Sequence, residues 1–548
     1  MKMHLLLSLM FVMILCGCEG EAPSNPVAQT TDLTHSGNIT VDDVWTAEAR
    51  HIIESELYIQ RAVIVIEPGA EIQFREGAGI SVMESGGLIA DGSDEAITFG
   101  LADEGQGNWK NIYFGPNVNS DSCKLINCNF TNGGADENWA AVVYCRQTGI
   151  TIRNCEISQS ASNGVYLAGD CAHLDFEDNT ITANDGAPIL TAACNIPLIG
   201  DGNYTGNGSD VIEIVEGTIH SDATWQHFEI PFFVNTHLNV RNSAFDLSAG
   251  TTLIFANRRA LRIGENSRFT ANGEDGQIVF KGAEDQNGYW DGIHIRGQSS
   301  GLLNNCLIRY GGGNPQVPAN IYIDDSHPVV TGCIIRNSGD YGMYVNGAPE
   351  VFTLSDNVIS QNSGAPISIA AANLNLLDGN EFAGNARDVI EIRGGETEGV
   401  IRKPTTLSDF SVPYLIKNKV TIRSATLRIE ENVRLKMDAG SQIDVMEGGG
   451  LIADGGSRMI EISGLDEFPG AWNCIHFSQF SNDNNCFLNF CNIKSGGGDS
   501  QRPANIYLND SNATIKNCTI SGSLHYGIYL AGSSNPVLEN NHFIDNLN

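Results

Sequence analysis

Basic residues are scarce in this sequence of 548 residues. The chain has 31 Lys and Arg against 65 Asp and Glu, which gives a formal net charge of −34 at pH 7. Nucleic acids and anionic membrane surfaces bind proteins through basic faces, so this charge argues against both as partners. Beyond the N-terminus the chain also lacks the roughly 18 consecutive apolar residues that a transmembrane helix needs.

Short motifs that bind metals or nucleotides are missing as well. The sequence has no EF-hand loop, no glycine-rich nonapeptide Ca²⁺ repeat, no Cys-x-x-Cys pair and no P-loop or dinucleotide fingerprint. A thiolate zinc site is therefore not expected, and no cofactor is predicted. Some of the many carboxylates could bind Ca²⁺, although the sequence assigns no site to the ion.

The N-terminus is the most specific local feature. After a short positive region, the apolar run Leu5–Leu15 is too short to span a bilayer and is typical of a signal peptide. It ends in Leu15-Cys16-Gly17-Cys18, which resembles the lipobox of bacterial lipoproteins and implies that Cys18 is lipidated. We therefore expect a lipoprotein signal peptide at residues 1–17, and the lipidated cysteine with a flexible tether at residues 18–35.

This lipid would be the only membrane anchor of the chain. The expected localisation is the cell envelope, at the outer membrane, either periplasmic or surface-exposed. An ordinary secretory signal is the alternative interpretation of the same residues.

The sequence repeats itself over long distances. Ile80–Gly92 returns almost unchanged as Ile443–Gly455, and Asp210–Ile214 returns unchanged as Asp388–Ile392. Tryptophans open matching segments at Trp109, Trp290 and Trp472. These matches predict three modules of about 180 residues, at 36–215, 216–398 and 399–548, of which the last is shortened.

A shorter period of about 25 residues, with steps of 23 to 27, lies within each module, as from Cys306 to Cys333 and on to Asn357. Three short strands and three turns use about that many residues, which predicts the coils of an all-β parallel β-helix. In Gly292–Arg296 we expect Ile293 and Ile295 to point inward. A helical solenoid is excluded because no window keeps an apolar period of 3.6, and a β-propeller blade needs about 40 residues.

The repeat theme, Asn-Cys-x-Ile followed by Gly-Ile-Tyr, resembles the right-handed β-helix repeats of the pectin-lyase-like superfamily. The resemblance covers nearly the whole mature chain and implies a right-handed β-helix. Its functional implication is broad, because this superfamily contains lyases, hydrolases, adhesins and tailspikes. Its lyases use a Lys or Arg base with acidic residues that hold Ca²⁺, and its hydrolases use paired carboxylates.

The polygalacturonase-type motif set is absent, and only Asp324-Asp325 corresponds to one of its members. The best candidate constellation lies in module two. It consists of the weak catalytic candidates His294, Arg296, Arg309, Asp324 and Asp325, with Arg336 one coil beyond Arg309. Cations and carboxylates on adjacent coils could act in a lyase or a hydrolase. The competing interpretation is a charged, solvated face of the sheet.

The cysteines of the repeat are expected to be small buried thiols in inward columns; they are Cys128, Cys155, Cys306, Cys333, Cys491 and Cys518. Cys171 and Cys194 stand apart from this column. They are one coil apart and next to turns, and an exported protein permits disulfides, so they form a possible bridge.

The first functional hypothesis is a cell-envelope lipoprotein that acts as a scaffold for a polysaccharide or a cell-surface glycan, without catalysis. A polysaccharide lyase or glycoside hydrolase is the alternative, and a purely structural envelope protein is a third. Repetition favours the scaffold, because an enzyme needs one unique constellation. The chain is thus more readily interpreted as a binding protein than as an enzyme.

Overall fold

The computed structural model describes residues 31–102, 107–264, 266–347 and 353–548. The predicted signal peptide, Cys18 and the first part of the tether lie outside these residues. Within them, no helix is long and apolar enough to cross a membrane.

The chain forms a right-handed parallel β-helix of about 21 turns. Strands of neighbouring coils pair in parallel, as Gly292–Arg296 does with Ala319–Asp324. The strands form because apolar and polar residues alternate: Ile293 and Ile295 point inward and are fully buried. Inward residues of successive coils stack into columns about 4.8 Å apart per step, so each coil depends on its neighbours for burial. The predicted fold class is confirmed.

The strands of the described ranges form six sheets along the sides of the coil. Sheet 1 contains Thr31–Ile39, Ala49–Gln60, Glu71–Phe74, Gly79–Met83, Ile97–Leu101, Ile112–Phe114, Cys128–Thr131, Ala141–Arg146, Glu156–Ser158, Asn163–Ala168, Asn179–Thr182, Ile189–Ala192, Gly202–Asn203, Ile212–Glu216, Phe232–Val234, Thr252–Phe255, Ile278–Gly282, Cys306–Arg309, Ile334–Arg336, Val358–Ser360 and Glu381–Ala383. Sheet 2 contains Asp43–Trp45, Val63–Ile66, Gly87–Asp91, Cys123–Ile126, Thr151–Arg153 and Asp175–Glu177.

Sheets 3 and 4 begin in module two. Sheet 3 contains Thr218–Ile219, Leu238–Arg241, Ala260–Gly264, Gly292–Arg296, Ala319–Asp324, Tyr341–Asn346, Ile367–Ala370, Ile390–Arg393, Tyr414–Lys417, Arg434–Met437, Ile460–Gly464, Cys491–Lys494, Thr519–Ser521 and His542–Ile544. Sheet 4 contains Ala223–Trp225, Ala244–Leu247, Arg268–Asn272, Ser300–Asn304, His327–Thr331, Thr353–Ser355 and Leu377–Asp378.

Sheets 5 and 6 belong to module three. Sheet 5 contains Val400–Ile401, Lys419–Arg423, Gln442–Met446, Ile475–Phe477, Ala504–Asn509 and Tyr526–Ala531. Sheet 6 contains Thr405–Leu407, Thr426–Ile429, Gly450–Asp454, Cys486–Asn489, Thr514–Lys516 and Val537–Glu539. Short 3₁₀ helices occupy corners at Ser120–Ser122, Ala193–Leu198, Ala371–Leu376 and Asp483–Asn485.

Coils of the predicted length are present together with longer ones. Ile367 pairs with Ile390 on the next coil, which matches the predicted period. In contrast, Leu88 pairs with Cys123 over a longer interval.

Equivalent strands of the three modules lie on different sides of the coil. Ile112–Phe114 of module one belongs to sheet 1, its module-two equivalent Gly292–Arg296 belongs to sheet 3, and its module-three equivalent Ile475–Phe477 belongs to sheet 5. Sheet 1 continues through module two beside sheets 3 and 4, and sheet 3 continues through module three beside sheets 5 and 6. Each module therefore starts one side further round the coil than the module before it.

Buried asparagines satisfy the backbone at the turns. Asn357 is fully buried, and its Oδ1 accepts a hydrogen bond from the backbone N–H of Cys333 at 3.0 Å. Its Nδ2 donates to the carbonyl of Val330 and to Oδ1 of Asn380, both at 3.0 Å. An amide side chain can both donate and accept hydrogen bonds, so one asparagine can bond to groups on consecutive coils. This explains why asparagine recurs with the period of the coil.

The last residues of the predicted tether are part of the fold. Thr31–Ile39 is a strand that pairs with Ala49–Gln60, so residues 31–35, which the sequence analysis included in the tether, belong to this strand. His35 stacks on Trp45 with ring centroids 4.3 Å apart and hydrogen-bonds His51. These ring contacts fix the segment to the first coil.

Candidate functional site

The outward face of sheet 3 in module two collects charged and aromatic side chains from consecutive coils. One file of register partners contains Arg262, His294, Tyr322, Tyr344, Ser368 and Glu391. The file beside it contains Arg296, Asp324, Asn346, Arg393 and Lys417. We call these two files the module-two strip.

Three of the predicted candidates lie on this strip. Arg296 and Asp324 are register partners on adjacent strands, but they do not pair with each other. The guanidinium of Arg296 instead lies over the ring of Tyr322, 4.8 Å from its centroid, and Asp324 accepts a hydrogen bond from Asn346 at 2.8 Å. Arg296 and Asp324 are therefore neighbours on the strip, but they do not form an ion pair.

His294 points outward as expected, but neighbouring side chains cover it and only 3% of its surface is exposed. Its Nε2 donates to the carbonyl of Asp291 at 3.1 Å. Burial, with smaller contributions from the cations Arg296 and Arg262, lowers the pKa of His294 to about 4 against the opposing effect of that hydrogen bond. The imidazole is therefore neutral at neutral pH.

The other predicted candidates lie elsewhere. Arg309 and Arg336 are register partners on sheet 1, a different side of the coil, where Lys281 precedes them in the same file. Asp325 is exposed in a turn, with a positive φ of 45°. The structure thus divides the predicted constellation, because Asp325 lies one position beyond the end of its strand and Arg309 lies on a strand of another sheet.

The first coils of the strip form a basic pocket of about 290 Å³. Arg241, Arg262, Arg296 and His294 line it. Arg262 donates to Nε2 of His237 at 3.2 Å rather than to a carboxylate. Among the described residues, none of these three arginines forms an ion pair. Unpaired guanidinium groups in a chain with a charge of −34 mark a place suited to an anion.

Two stacked tyrosines form the middle of the strip. The rings of Tyr322 and Tyr344 lie 5.5 Å apart and are nearly parallel, at 9°. Arg393 covers Tyr344 with its Cζ 4.2 Å from the ring centroid. Its position is fixed because it donates to the carbonyl of Val345 at 2.6 Å and to Oγ of Ser368 at 3.0 Å. This is a rigid surface of aromatic and guanidinium planes.

A buried carboxylate forms the far end of the strip. The side chain of Glu391 is 4% exposed, and Oε2 lies 3.6 Å from both Arg387 and Lys417. Its Oε1 accepts hydrogen bonds from Tyr341 at 3.0 Å and from Ser368 at 3.2 Å. Burial raises the pKa of Tyr341 to about 12, so the phenol remains a hydrogen-bond donor at physiological pH. Buried carboxylates with cations and a phenol are typical of ligand or catalytic sites as well as of structural ion pairs.

The sequence analysis did not find this cluster, although a signal was present. Glu391 lies in the repeated segment Asp388–Ile392, and its module-one counterpart is Glu213. The neighbouring Arg387 and Arg393 correspond to Ser209 and Val215 in module one. A comparison of these flanking positions would have shown that module two has arginines where module one has serine and valine.

The equivalent strip of module three has a different chemistry. Asp444 is 4% exposed at its side chain and lies 3.3 Å from both His476 and Arg502. The position of Arg502 is taken by Val317 in module two and by Trp139 in module one. The same place in the fold therefore carries a different side chain in each module.

Within the described ranges, no group of three or more His, Cys, Asp or Glu side chains is arranged to hold a metal ion. The tryptophans that open the module strands are core residues: Trp109, Trp290 and Trp472 are fully buried. Each donates its indole N–H to a backbone carbonyl, at 2.7, 2.8 and 2.9 Å respectively.

The possible bridge between Cys171 and Cys194 is not formed in the structure, where both are free thiols. The backbone N–H of Cys171 donates to Oδ1 of Asn195 at 2.9 Å, so Asn195 and not Cys194 is its partner on the next coil. The cysteines of the repeat column are buried, as predicted.

Comparison with known proteins agrees with this architecture. A family model described as right handed beta helix region matches residues 230–382, 286–409 and 439–548, which together exceed half of the chain. A search of curated proteins finds no match. With coils, columns and register all in agreement, the chain belongs to the family of proteins with a right-handed β-helix region.

Proposed function

We propose that the protein is a cell-envelope scaffold whose second module binds an anionic polysaccharide along the module-two strip. The observation that carries this proposal is the basic pocket, in which Arg241, Arg262 and Arg296 lack carboxylate partners among the described residues. Elsewhere on this acidic chain, arginines such as Arg268 and Arg153 pair with aspartates. Arg binds carboxylate and sulfate groups through its planar fork of donors, which suits uronate or sulfated sugars.

The dimensions of the strip support a chain-like ligand. Arg262 and Glu391 are separated by five register steps, which at about 4.8 Å each gives about 24 Å, enough for several sugar rings in a row. Tyr322 and Tyr344 between them offer flat surfaces for the apolar faces of sugars. A polymer lying along the axis would meet cations first and aromatic rings next.

The predicted attachment to the cell is part of the same proposal. The Leu15-Cys16-Gly17-Cys18 segment supports lipidation at Cys18, which would place the rod at the outer membrane with the lipid as its only membrane contact. An anchored rod of stacked coils can present the strip to glycans in the periplasm or at the cell surface.

Affinity measurements by calorimetry test the binding proposal. We expect the full mature chain to bind polyuronates or sulfated glycosaminoglycans, and the affinity to fall with salt because the contact is ionic. The double variant Arg262→Ala/Arg296→Ala should lose binding by about tenfold or more. Arg428→Ala, which removes an exposed arginine of module three, is the matched control. Equal loss in both variants, or no binding by the unaltered chain, would contradict the proposal.

A polysaccharide lyase or glycoside hydrolase is the second candidate function. The Glu391 cluster favours it, because Tyr341, Arg387 and Arg393 give module two a constellation that module one lacks. The test is incubation with pectin, alginate and glycosaminoglycans, following the absorbance of unsaturated products and the appearance of reducing ends. Turnover that is lost in Glu391→Gln or Tyr341→Phe would establish catalysis and overturn the non-catalytic scaffold.

A further inference from the structure

Module one carries an aromatic cluster on the strands that are the repeat equivalents of the module-two strip, although these strands lie on a different side of the coil. Tyr113, Tyr144 and Tyr166 are consecutive register partners. The ring of Trp139 stacks 4.7 Å from Tyr113 and 5.6 Å from Tyr144, and Tyr144 lies 4.8 Å from Tyr166. We call these four residues the Trp139 platform.

The platform has a buried base and an accessible top. Tyr113 and Tyr144 are each 6% exposed, whereas Trp139 and Tyr166 are partly exposed. All other tryptophans of the chain are buried in the core. Trp139 is thus the single indole of the six that presents part of its surface to solvent.

The loop that holds Trp139 is fixed by hydrogen bonds. Asp136 accepts, through Oδ1, the backbone N–H groups of Asn138 at 2.8 Å and of Trp139 at 3.0 Å. Asn111 donates from Nδ2 to the carbonyl of Trp139 at 3.2 Å. A ring that is already held in place loses little conformational freedom when a ligand covers it.

The charges around the platform differ from those of the module-two strip. The module-one positions that correspond to Arg262 and Arg296 are Ser81 and Gly115. Glu216 lies near the rings and accepts the backbone N–H of Gly169 at 3.0 Å. Burial raises the pKa of Tyr144 to about 12, with smaller contributions from Tyr166, Tyr113 and Glu216 against the opposing effect of Arg146, so its phenol remains neutral. Burial, with smaller contributions from Glu216 and Glu213, also raises the pKa of Tyr166. The charged groups that act on these rings are two carboxylates, Glu213 and Glu216, and one guanidinium, Arg146. Carboxylates therefore outnumber cations here, which disfavours an anionic ligand and leaves a neutral one.

We propose that the Trp139 platform is a second glycan site, which binds the pyranose rings of a neutral polysaccharide on a different side of the coil from the module-two strip. Pyranoses expose an apolar C–H face, and the negative face of an indole or phenol ring attracts such polarised C–H groups. Trp and Tyr also supply a large, rigid contact area at low entropic cost. The inference does not depend on the proposed function, because it concerns other residues and a ligand of different charge.

Two sites on different sides of one rod can hold two glycans at once. Sheet 1 carries the platform and sheet 3 carries the module-two strip, and the two sheets run side by side through module two. The chain would therefore bridge a neutral and an anionic polymer rather than bind one polymer along its whole length.

Tryptophan fluorescence tests the platform directly, because Trp139 alone is partly exposed. The probes are the neutral hexasaccharides cellohexaose, mannohexaose and maltohexaose, with a hexauronate for comparison. At least one neutral probe should change the indole emission of the mature chain, and Trp139→Ala should lower its affinity by about tenfold or more, as measured by calorimetry.

Matched variants separate this result from misfolding and from the other site. Phe480→Ala removes an exposed aromatic residue of module three and should leave neutral-glycan binding unchanged. Tyr166→Ala supplies a second change within the platform and should weaken the same binding. Arg262→Ala/Arg296→Ala should leave it unaltered. No binding of any neutral probe, binding that survives Trp139→Ala, or preferential binding of the hexauronate in the double arginine variant would overturn the proposal.

Discussion

The phenol of Tyr341 donates a hydrogen bond to Oε1 of Glu391 across 3.0 Å, although the two residues are 50 positions apart. The bond joins strands two coils apart on the module-two strip. In module one the same positions hold Asn163 and Glu213, and Glu213 instead accepts a hydrogen bond from Asn235 at an exposed position. The segments around Glu213 and Glu391 are identical in sequence, but their glutamates therefore have different hydrogen-bond partners and different exposure.

Neutralising Glu391 is expected to destabilise the protein. Glu391→Gln keeps the shape but removes the charge that compensates Arg387 and Lys417, at a site that is 4% exposed. We expect the free energy of unfolding to fall by about 1–3 kcal/mol, since one partner of a buried charge network is lost while the cations stay partly solvated. Urea denaturation followed by circular dichroism measures the change. Glu213→Gln is the matched control, and an equal effect of both substitutions would show that the burial of Glu391 does not matter.

Stability should depend on pH through His294. The pKa of His294 is about 4 in the folded protein and 6.5 in the unfolded chain, so the unfolded state takes up the proton first as the pH falls. This residue therefore contributes full stability above pH 6.5, and the contribution is lost progressively towards pH 4, by about 3 kcal/mol in total. The groups that face the imidazole are Arg262, Arg296, His237 and the edge of Tyr322.

Thermal unfolding between pH 7 and pH 4 tests this dependence. His294→Gln should show a smaller fall in Tm than the unaltered chain over that interval, whereas His220→Gln, an exposed histidine, should behave like the unaltered chain. Some dependence should remain in His294→Gln, because burial also lowers the pKa of His35 to about 4. Superimposable pH profiles of the His294→Gln and unaltered chains would contradict a neutral, buried imidazole.

Alternation and period were sufficient to predict the fold, since a coil can bury Ile293 and Ile295 only when neighbouring coils repeat the pattern. They were not sufficient to predict the site. The strand position of Arg309 places it on sheet 1, and Asp325 follows the last residue of its strand. The side of the coil on which a residue lies depends on the lengths of the turns between strands, and the sequence does not reveal where each turn begins and ends. The exposure of His294 likewise depends on the side chains that the preceding and the following coil place beside it.

The asparagine ladder is expected to contribute strongly to stability. Asn357→Ala removes three hydrogen bonds and leaves the backbone N–H of Cys333 and the carbonyl of Val330 buried without that partner. A loss on the order of 3 kcal/mol is expected, because buried polar groups without partners keep their full desolvation cost. The urea midpoint should fall for Asn357→Ala and hardly change for Asn117→Ala, an exposed asparagine. Similar midpoints for the two variants would show that the ladder is dispensable.

Thiol labelling distinguishes the free cysteines of the structure from the predicted bridge. Cys194 is partly exposed, and burial raises its pKa to about 11, so a maleimide at neutral pH should label it slowly but before the other cysteines of the described residues. Cys171 is fully buried, with its pKa raised to about 12, and should react only on unfolding. Mass spectrometry of peptides from the unreduced mature protein locates the label. If Cys194 is unreactive until a reductant is added, and a Cys171–Cys194 peptide pair appears without reduction, the bridge forms. The two turns would then have to move, because the hydrogen bond from Cys171 to Asn195 now fixes their arrangement.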